Sequence, residues 1–248
     1  MSRIAALAAA LVLALASTTA ARAADVNALV TNALKSTVPE LAPAFEKSSG
    51  HKLKVTFGST GQLKARIDKG EAADVAVFGA EAIDSLAKEG KLVPRTRTAI
   101  ARSGLGIAIR KGAPKPDVGT TEAFKKTLLA AKSVSYNGEG LTGDYLKVLF
   151  QRLGIADAIK AKHKDGGGAE VVGKGEAEIG ISQASEVELV AGVELGGVLP
   201  KEIQNYTPFA GAVVDHTPQP DGAAALLKFL TSPEAAKVMK AKGLEPQS

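Results

Sequence analysis

Residues 52–66 read KLKVTFGSTGQLKAR and combine a predicted strand, a polar turn and the start of a predicted helix. The first six residues alternate between polar and apolar side chains, which is the period of a half-buried strand. The turn Gly58-Ser59-Thr60-Gly61 interrupts that pattern. Leu63 and Ile67 then stand four residues apart, as on one face of a helix. A strand that enters a helix through a short turn is the repeating unit of α/β proteins.

The same unit recurs along the chain. Further strands are predicted at 74–78, 104–110, 133–136, 178–182 and 210–214. Helices are predicted after the strand at 74–78 and at 124–131, 144–153, 186–190, 221–230 and 233–242, and residues 138–143 read as a glycine-rich loop. Asp68, Glu71 and Asp74 are interpreted as solvated or capping residues. Strands that alternate with helices predict an α/β fold.

The N-terminal residues 1–23 have the three parts of a secretory signal peptide. Arg3 gives a positive start, residues 4–16 are apolar, and Ala21-Arg22-Ala23 is a small-x-small cleavage pattern. The apolar run is shorter than the ~20 residues of a membrane span. We therefore expect an exported chain that starts near Ala24; the alternative is a buried N-terminal helix.

Composition narrows the possible functions. The sequence contains no cysteine, which excludes disulfides, thiolate nucleophiles, cysteine-ligated metals and a thiol-linked lipid anchor. Removing the leader lowers the formal net charge of +5 by two. The lysines are spread out, with no arginine-rich arm or basic stripe, so nucleic acid is not an expected partner. A weak positive bias suits a small anionic ligand.

Three positions place small polar residues between a strand and a helix. They are Ser59-Thr60-Gly61, Leu141-Thr142-Gly143 and Ser182-Gln183-Ala184. Free backbone N–H groups at a helix start, with a hydroxyl beside them, can bind an anion. Ligands of open α/β sheets bind at the carboxyl ends of strands. Ordinary helix capping is the alternative for each position.

Signals for catalysis or for a metal are weak. His51, His163 and His216 are widely separated, and no metal-binding spacing, hydrolase elbow or phosphate loop occurs. We expect no cofactor and no metal. Arg102 begins the strand region GLGIAIR and can hold a carboxylate through two hydrogen bonds; a surface arginine is the equal alternative.

The chain resembles type 2 periplasmic solute-binding proteins, and within them the molybdate-binding group of ABC transporters. The motifs are ALVTNAL (28–34), FGSTGQLKAR (57–66), GEAADVAV (70–77), DYLKVLFQRLG (144–154) and TSPEAAKVMKAKG (231–243). The resemblance implies two α/β lobes with mixed sheets, joined by a hinge of two crossing strands near 104–110 and 208–214. It places lobe 1 at 24–103 plus 215–248 and lobe 2 at 104–214.

The resemblance also implies a set of ligand-binding residues. The molybdate-binding group holds its oxyanion with hydroxyl and backbone N–H donors. Its first serine falls on Leu29, its second on Thr60 beside Ser59, its helix-start donor on Thr142 and its tyrosine on Gln183. The predicted site is Ser59, Thr60, Gly61, Arg102, Thr142, Gly143 and Gln183, with Leu29 where a hydroxyl is lost. The ligand is either a molybdate-like oxyanion or a small organic carboxylate.

We therefore expect a soluble, monomeric periplasmic binding protein that is not an enzyme. It would close over a small anion by hinge motion and deliver it to the membrane permease of an ABC importer. One alternative is a ligand-sensing protein without a transporter. Another is an exported α/β hydrolase that pairs Ser59 or Ser182 with a histidine.

Overall fold

The computed structural model describes residues 25–247, which form a mixed α/β fold. The predicted signal peptide at 1–23 lies outside the described residues. Within the described part of the chain, no helix has both the length and the apolar character needed to cross a membrane.

One continuous sheet of ten strands organises residues 25–247. The strands are β1 (Asp25–Thr31), β2 (Lys52–Gly58), β3 (Val75–Gly79), β4 (Thr98–Arg110), β5 (Val134–Tyr136), β6 (His163–Asp165), β7 (Ile179–Gln183), β8 (Val193–Val198), β9 (Tyr206–Val213) and β10 (Leu244–Pro246). Their order is β2-β1-β3-β9-β4-β7-β5-β6, and β8 and β10 also pair with β4. The sheet is mixed, because β1 runs parallel to β2 and β3 whereas β9 is antiparallel to both of its neighbours.

Ten α-helices cover the sheet within the same residues. They are α1 (Val38–Ser49), α2 (Thr60–Asp68), α3 (Ala80–Lys88), α4 (Thr121–Ala130), α5 (Gly140–Arg152), α6 (Ala156–Lys160), α7 (Gly168–Lys174), α8 (Ala184–Val187), α9 (Pro220–Leu230) and α10 (Pro233–Ala241). Helix α5 begins at Gly140, inside the segment predicted as a loop. The sequence prediction was wrong there because glycines favour turns when only the local sequence is considered.

Strand β4 connects two groups of strands. From Thr98 to Gly104 it pairs with β9, and from Leu105 onward it pairs with β7 and β8. Separate buried apolar clusters lie on either side of this change of partner: Val26, Phe45 and Leu226 belong to one side, and Phe124, Leu146 and Phe150 to the other. We keep the predicted lobe limits, 24–103 plus 215–248 and 104–214, as a proposal.

Asp74 directly precedes β3 and is only 2% exposed, so its interpretation as a solvated or capping residue was wrong. One carboxyl oxygen accepts hydrogen bonds from the backbone N of Asn27 (2.7 Å) and from its side-chain nitrogen (3.1 Å). The other oxygen accepts a hydrogen bond from the Thr217 hydroxyl. Asp74 therefore ties β1 and the segment after β9 to β3.

Candidate functional site

A cavity of about 580 Å³ lies where β1, β2, β5 and β7 end, between the two groups of strands. Strand ends supply several of its walls, since loops that follow parallel strands meet at one edge of a sheet. Its lining comprises Thr31, Asn32, Ala33, Ser59, Thr60, Gly61, Asn137, Glu139, Thr142, Gly167, Gly168, Glu170, Ile181, Ser182, Gln183, Glu186, Thr207 and Phe209.

Four helices begin at this cavity: α2, α5, α7 and α8. The first backbone N–H groups of a helix have no partner within the helix and carry a partial positive charge. Ser59 caps α2: its hydroxyl oxygen accepts from the backbone N of Gln62 (3.3 Å), and the Gln62 side chain accepts from the backbone N of Ser59 (2.9 Å). The other first-turn N–H groups of α2 and α5 are donors suited to an anion. The short helices α7 and α8 add less, because Ala169 and Ser185 in their first turns already donate to side-chain hydroxyls.

Backbone N–H groups hold two of the hydroxyls in the cavity wall. Thr60 accepts a hydrogen bond from the backbone N of Gly79 (3.2 Å), and Ser182 accepts one from the backbone N of Ala169 (3.0 Å). Since each hydroxyl oxygen is used as an acceptor, its own proton can be donated to a ligand. Gln183 donates to the Thr207 hydroxyl (2.8 Å), and its buried side-chain oxygen has no partner among the described residues.

The charged side chains in the cavity wall are acidic. Glu139, Glu170 and Glu186 line it, and none of the described lining residues is lysine or arginine. Burial raises the pKa of the Glu186 carboxyl above its ordinary value, and the nearby Glu170 carboxylate raises it further. The cavity thus combines many hydrogen-bond donors with a carboxyl group that resists ionisation.

The structure brings five of the predicted site residues together at the cavity: Ser59, Thr60, Gly61, Thr142 and Gln183. Gly143 is buried behind the wall, where a Cβ atom would stand 2.7 Å from the Asn137 carbonyl oxygen, so it allows close packing of α5. Leu29 is 3% exposed and packs in the apolar core. Because β1 continues to Thr31, the strand end that reaches the cavity lies two residues beyond Leu29.

Arg102 does not line the cavity, which corrects the prediction that placed it there. Its guanidinium binds the carboxylate of Glu245 in β10 at 2.6–2.8 Å and lies 3.8 Å from the centre of the Tyr206 ring. Glu245 is the β-sheet partner of Arg102 in the β4–β10 pair. The arginine therefore holds the C-terminal strand against β4.

The three histidines lie away from this wall. His163 contacts the Tyr136 carbonyl oxygen (3.1 Å), and His216 pairs with Asp215 (2.9 Å). His51 stands beside Gly222. The described part of the cavity therefore offers no histidine to Ser59 or Ser182. Within residues 25–247 no group of three or more potential ligands is arranged to hold a metal ion.

Sequence reasoning missed several residues of the wall: Thr31, Asn32, Asn137, Glu139, Gly167, Gly168, Glu170, Glu186 and Thr207. One signal was available, because the run Gly166-Gly167-Gly168 precedes the short apolar stretch AEVV. A glycine run before a helix start allows close approach of backbone to a ligand.

The fold and cavity define a class of protein. Two groups of strands joined through β4, with a polar cavity at strand ends and helix starts, form the type 2 periplasmic binding protein fold. The family model described as bacterial extracellular solute-binding protein matches residues 26–245. The chain belongs to this family.

Three comparisons illustrate the range of relatives. The chain is 36% identical over 228 residues to a Pseudomonas protein named aconitate isomerase, covering 88% of this chain and 86% of that protein. It is 29% identical over 239 residues to the molybdate-binding protein ModA of Azotobacter vinelandii, covering 90% and 91%. The substrate-binding domain of a molybdenum ABC transporter from Clostridium difficile superposes with a TM-score of 0.75 at 19% identity, covering 91% and 100%. At that identity, the last comparison bears on the fold alone.

Proposed function

We propose that the chain is an exported binding protein that takes a small organic carboxylate in the cavity and passes it to the permease of an ABC importer. The observation that carries the proposal is that the starts of α2 and α5 and six hydroxyl side chains converge on one cavity: Thr31, Ser59, Thr60, Thr142, Ser182 and Thr207. Such donors bind an anion without a lysine or an arginine. The predicted signal peptide supports delivery to the periplasm.

The cavity is large enough for a small organic anion. Its volume of about 580 Å³ falls within the ~300–1,000 Å³ range of small-molecule sites. The relative named aconitate isomerase points the same way, because aconitate is a tricarboxylate. The relative named as molybdate-binding supports the alternative ligand, a molybdate-like oxyanion.

A thermal-shift screen tests this proposal. The protein without residues 1–23 is heated with molybdate, tungstate, sulfate, phosphate, succinate, citrate and aconitate. A ligand at 100 times its dissociation constant stabilises the folded protein by about 2.7 kcal/mol. We expect the largest shift with a carboxylate, a smaller shift for Thr60→Val, and an unchanged shift for Arg102→Ala. Failure of every anion to shift the melting temperature overturns the proposal.

A second candidate function is isomerisation of an unsaturated polycarboxylate such as aconitate. The specific observation is Glu186, a half-buried carboxyl in the cavity wall whose pKa is raised. A raised pKa makes a carboxylate a stronger base, which suits a group that accepts a proton and then returns it. Glu186 would remove a proton from the carbon beside the double bond and return it to the far carbon. The double bond then moves without any co-reactant.

Proton NMR of cis-aconitate incubated with the protein tests that candidate. Conversion to the trans isomer by the wild type, lost in Glu186→Gln while binding is retained, would support it. Binding without conversion, even at stoichiometric protein, leaves the binding function and rejects the isomerase.

A further inference from the structure

We propose that Glu186 contacts the bound anion as a neutral acid, so that the cavity takes up a proton, up to one per anion, at any pH where Glu186 is ionised before the anion binds. This inference rests on the proposed anion-binding function and assigns one residue of that site. It makes Glu186 a hydrogen-bond donor to the ligand rather than a charge that repels it.

The geometry places three carboxyl groups in the wall of one cavity, those of Glu139, Glu170 and Glu186. Glu186 lies in the short helix α8, directly after the strand that carries Ser182 and Gln183, and Glu170 lies in α7 on the same wall. The described side chains of the wall include no cation. An anion entering here meets like charges that are not neutralised, unless one carboxyl is protonated.

The elements packed against α8 do not neutralise Glu186. The elements that pack most extensively against α8 are β4, β7, β8 and the 3₁₀ turn Asn32–Leu34. Gly243, after α10, also approaches the backbone of Ala184. Its neighbour Lys242 is paired with Glu40. Neither β7 nor the turn carries a titratable side chain. On β4, Arg102 is paired with Glu245, and Arg110 lies beside Gly175.

The titratable side chains of β8 and of the described cavity wall are acidic. On β8, Glu194 accepts from the backbone N of Gly112. Glu139 also lines the cavity, and Glu188, which directly follows α8, is exposed. Glu170 is the group that acts on Glu186, and it favours the neutral form.

The environment of Glu186 determines how anion affinity changes with pH. Because the pKa of Glu186 is raised, the neutral acid persists above the usual range of a glutamic acid (about 4.3). An added anion raises that pKa further, so binding takes up a proton. Affinity is highest at low pH and falls as pH rises through the raised pKa, by as much as tenfold per pH unit.

Titration calorimetry in pairs of buffers with different ionisation enthalpies counts the protons taken up. The probes are sulfate, titrated from about pH 5 to 8.5, and tricarballylate, a saturated tricarboxylate, titrated in the upper part of that range, where its own carboxyl groups are largely ionised. We expect up to one proton per anion for the wild type and for the control Glu188→Gln. Glu186→Gln should bind with no proton uptake and a flat pH profile. Glu170→Gln should retain uptake but shift the profile to lower pH.

The possible results distinguish a failure of the role given to Glu186 from a failure of the anion-binding function. If the wild type binds either probe without taking up a proton, or if Glu186→Gln keeps the uptake, the role given to Glu186 is wrong and the binding function stands. If neither probe binds the wild type or any of the three variants, the anion-binding function itself is overturned for these probe classes. Circular dichroism of each variant checks that the fold is unchanged.

Discussion

Asp74→Ala is expected to lower the free energy of unfolding by about 3 kcal/mol, because it deletes the acceptor of three hydrogen bonds in a buried setting. The backbone N–H of Asn27 loses its side-chain acceptor, and the Thr217 hydroxyl loses the contact that holds the segment after β9. A hydrogen bond contributes about 1 kcal/mol on balance, and water can reach the donors of the exposed Asn27 and the half-buried Thr217, so the loss of three bonds gives about 3 kcal/mol. Urea unfolding at 25 °C with an unchanged m-value measures the loss.

Asp68→Ala is the matched control for this prediction. Asp68 also binds two partners, Lys64 (2.9 Å) and Lys91 (2.5 Å), but on the surface at the end of α2. Solvent and salt screen exposed ion pairs, so its removal should cost far less. Equal losses for the two variants would show that burial of Asp74 does not set its contribution.

Local pattern predicted the elements near residues 52–88 well, because period and turn signals coincide there. The predicted strand at 52–57 is β2, and the predicted helix after Gly61 is α2. The order of the strands in the sheet could not be predicted from local sequence patterns. Strand β9 lies between β3 and β4 in the sheet, although it follows β4 in the chain by more than 90 residues. That position depends on how the whole chain packs.

The candidate site was predicted where the signal is local and missed where it depends on tertiary contacts. Ser59, Thr60 and Gln183 stand at helix starts, which the sequence shows directly. Glu170 and Glu186 occur in charged segments that resemble solvated helix faces, and only the fold brings them to one wall. Arg102 was misplaced because its partner, Glu245, is 143 residues away.

Gly168→Ala is expected to weaken anion binding at least tenfold and to lower the free energy of unfolding by ~1–3 kcal/mol, the usual cost of overpacking. A Cβ atom at residue 168 would stand 2.8 Å from the carbonyl carbon of Ile181 in β7. That neighbour is backbone, so no side-chain rotation relieves the clash. Helix α7 has to move away from β7, and Gly180, which faces the Gly168 carbonyl, shows that the close approach is mutual.

The same movement would disturb the cavity wall. The backbone N of Ala169 in α7 donates a hydrogen bond to the Ser182 hydroxyl (3.0 Å), so a shift of α7 displaces that hydroxyl. Gly61→Ala is the control: Gly61 also lines the cavity at a helix start, but a Cβ atom there meets nothing within 4 Å. It should leave stability unchanged or slightly raised, since alanine suits a helix better than glycine. Titration calorimetry measures the anion affinity of both variants, and urea unfolding measures their free energies of unfolding. Full binding by Gly168→Ala would mean that the spacing of α7 from β7 does not shape the cavity.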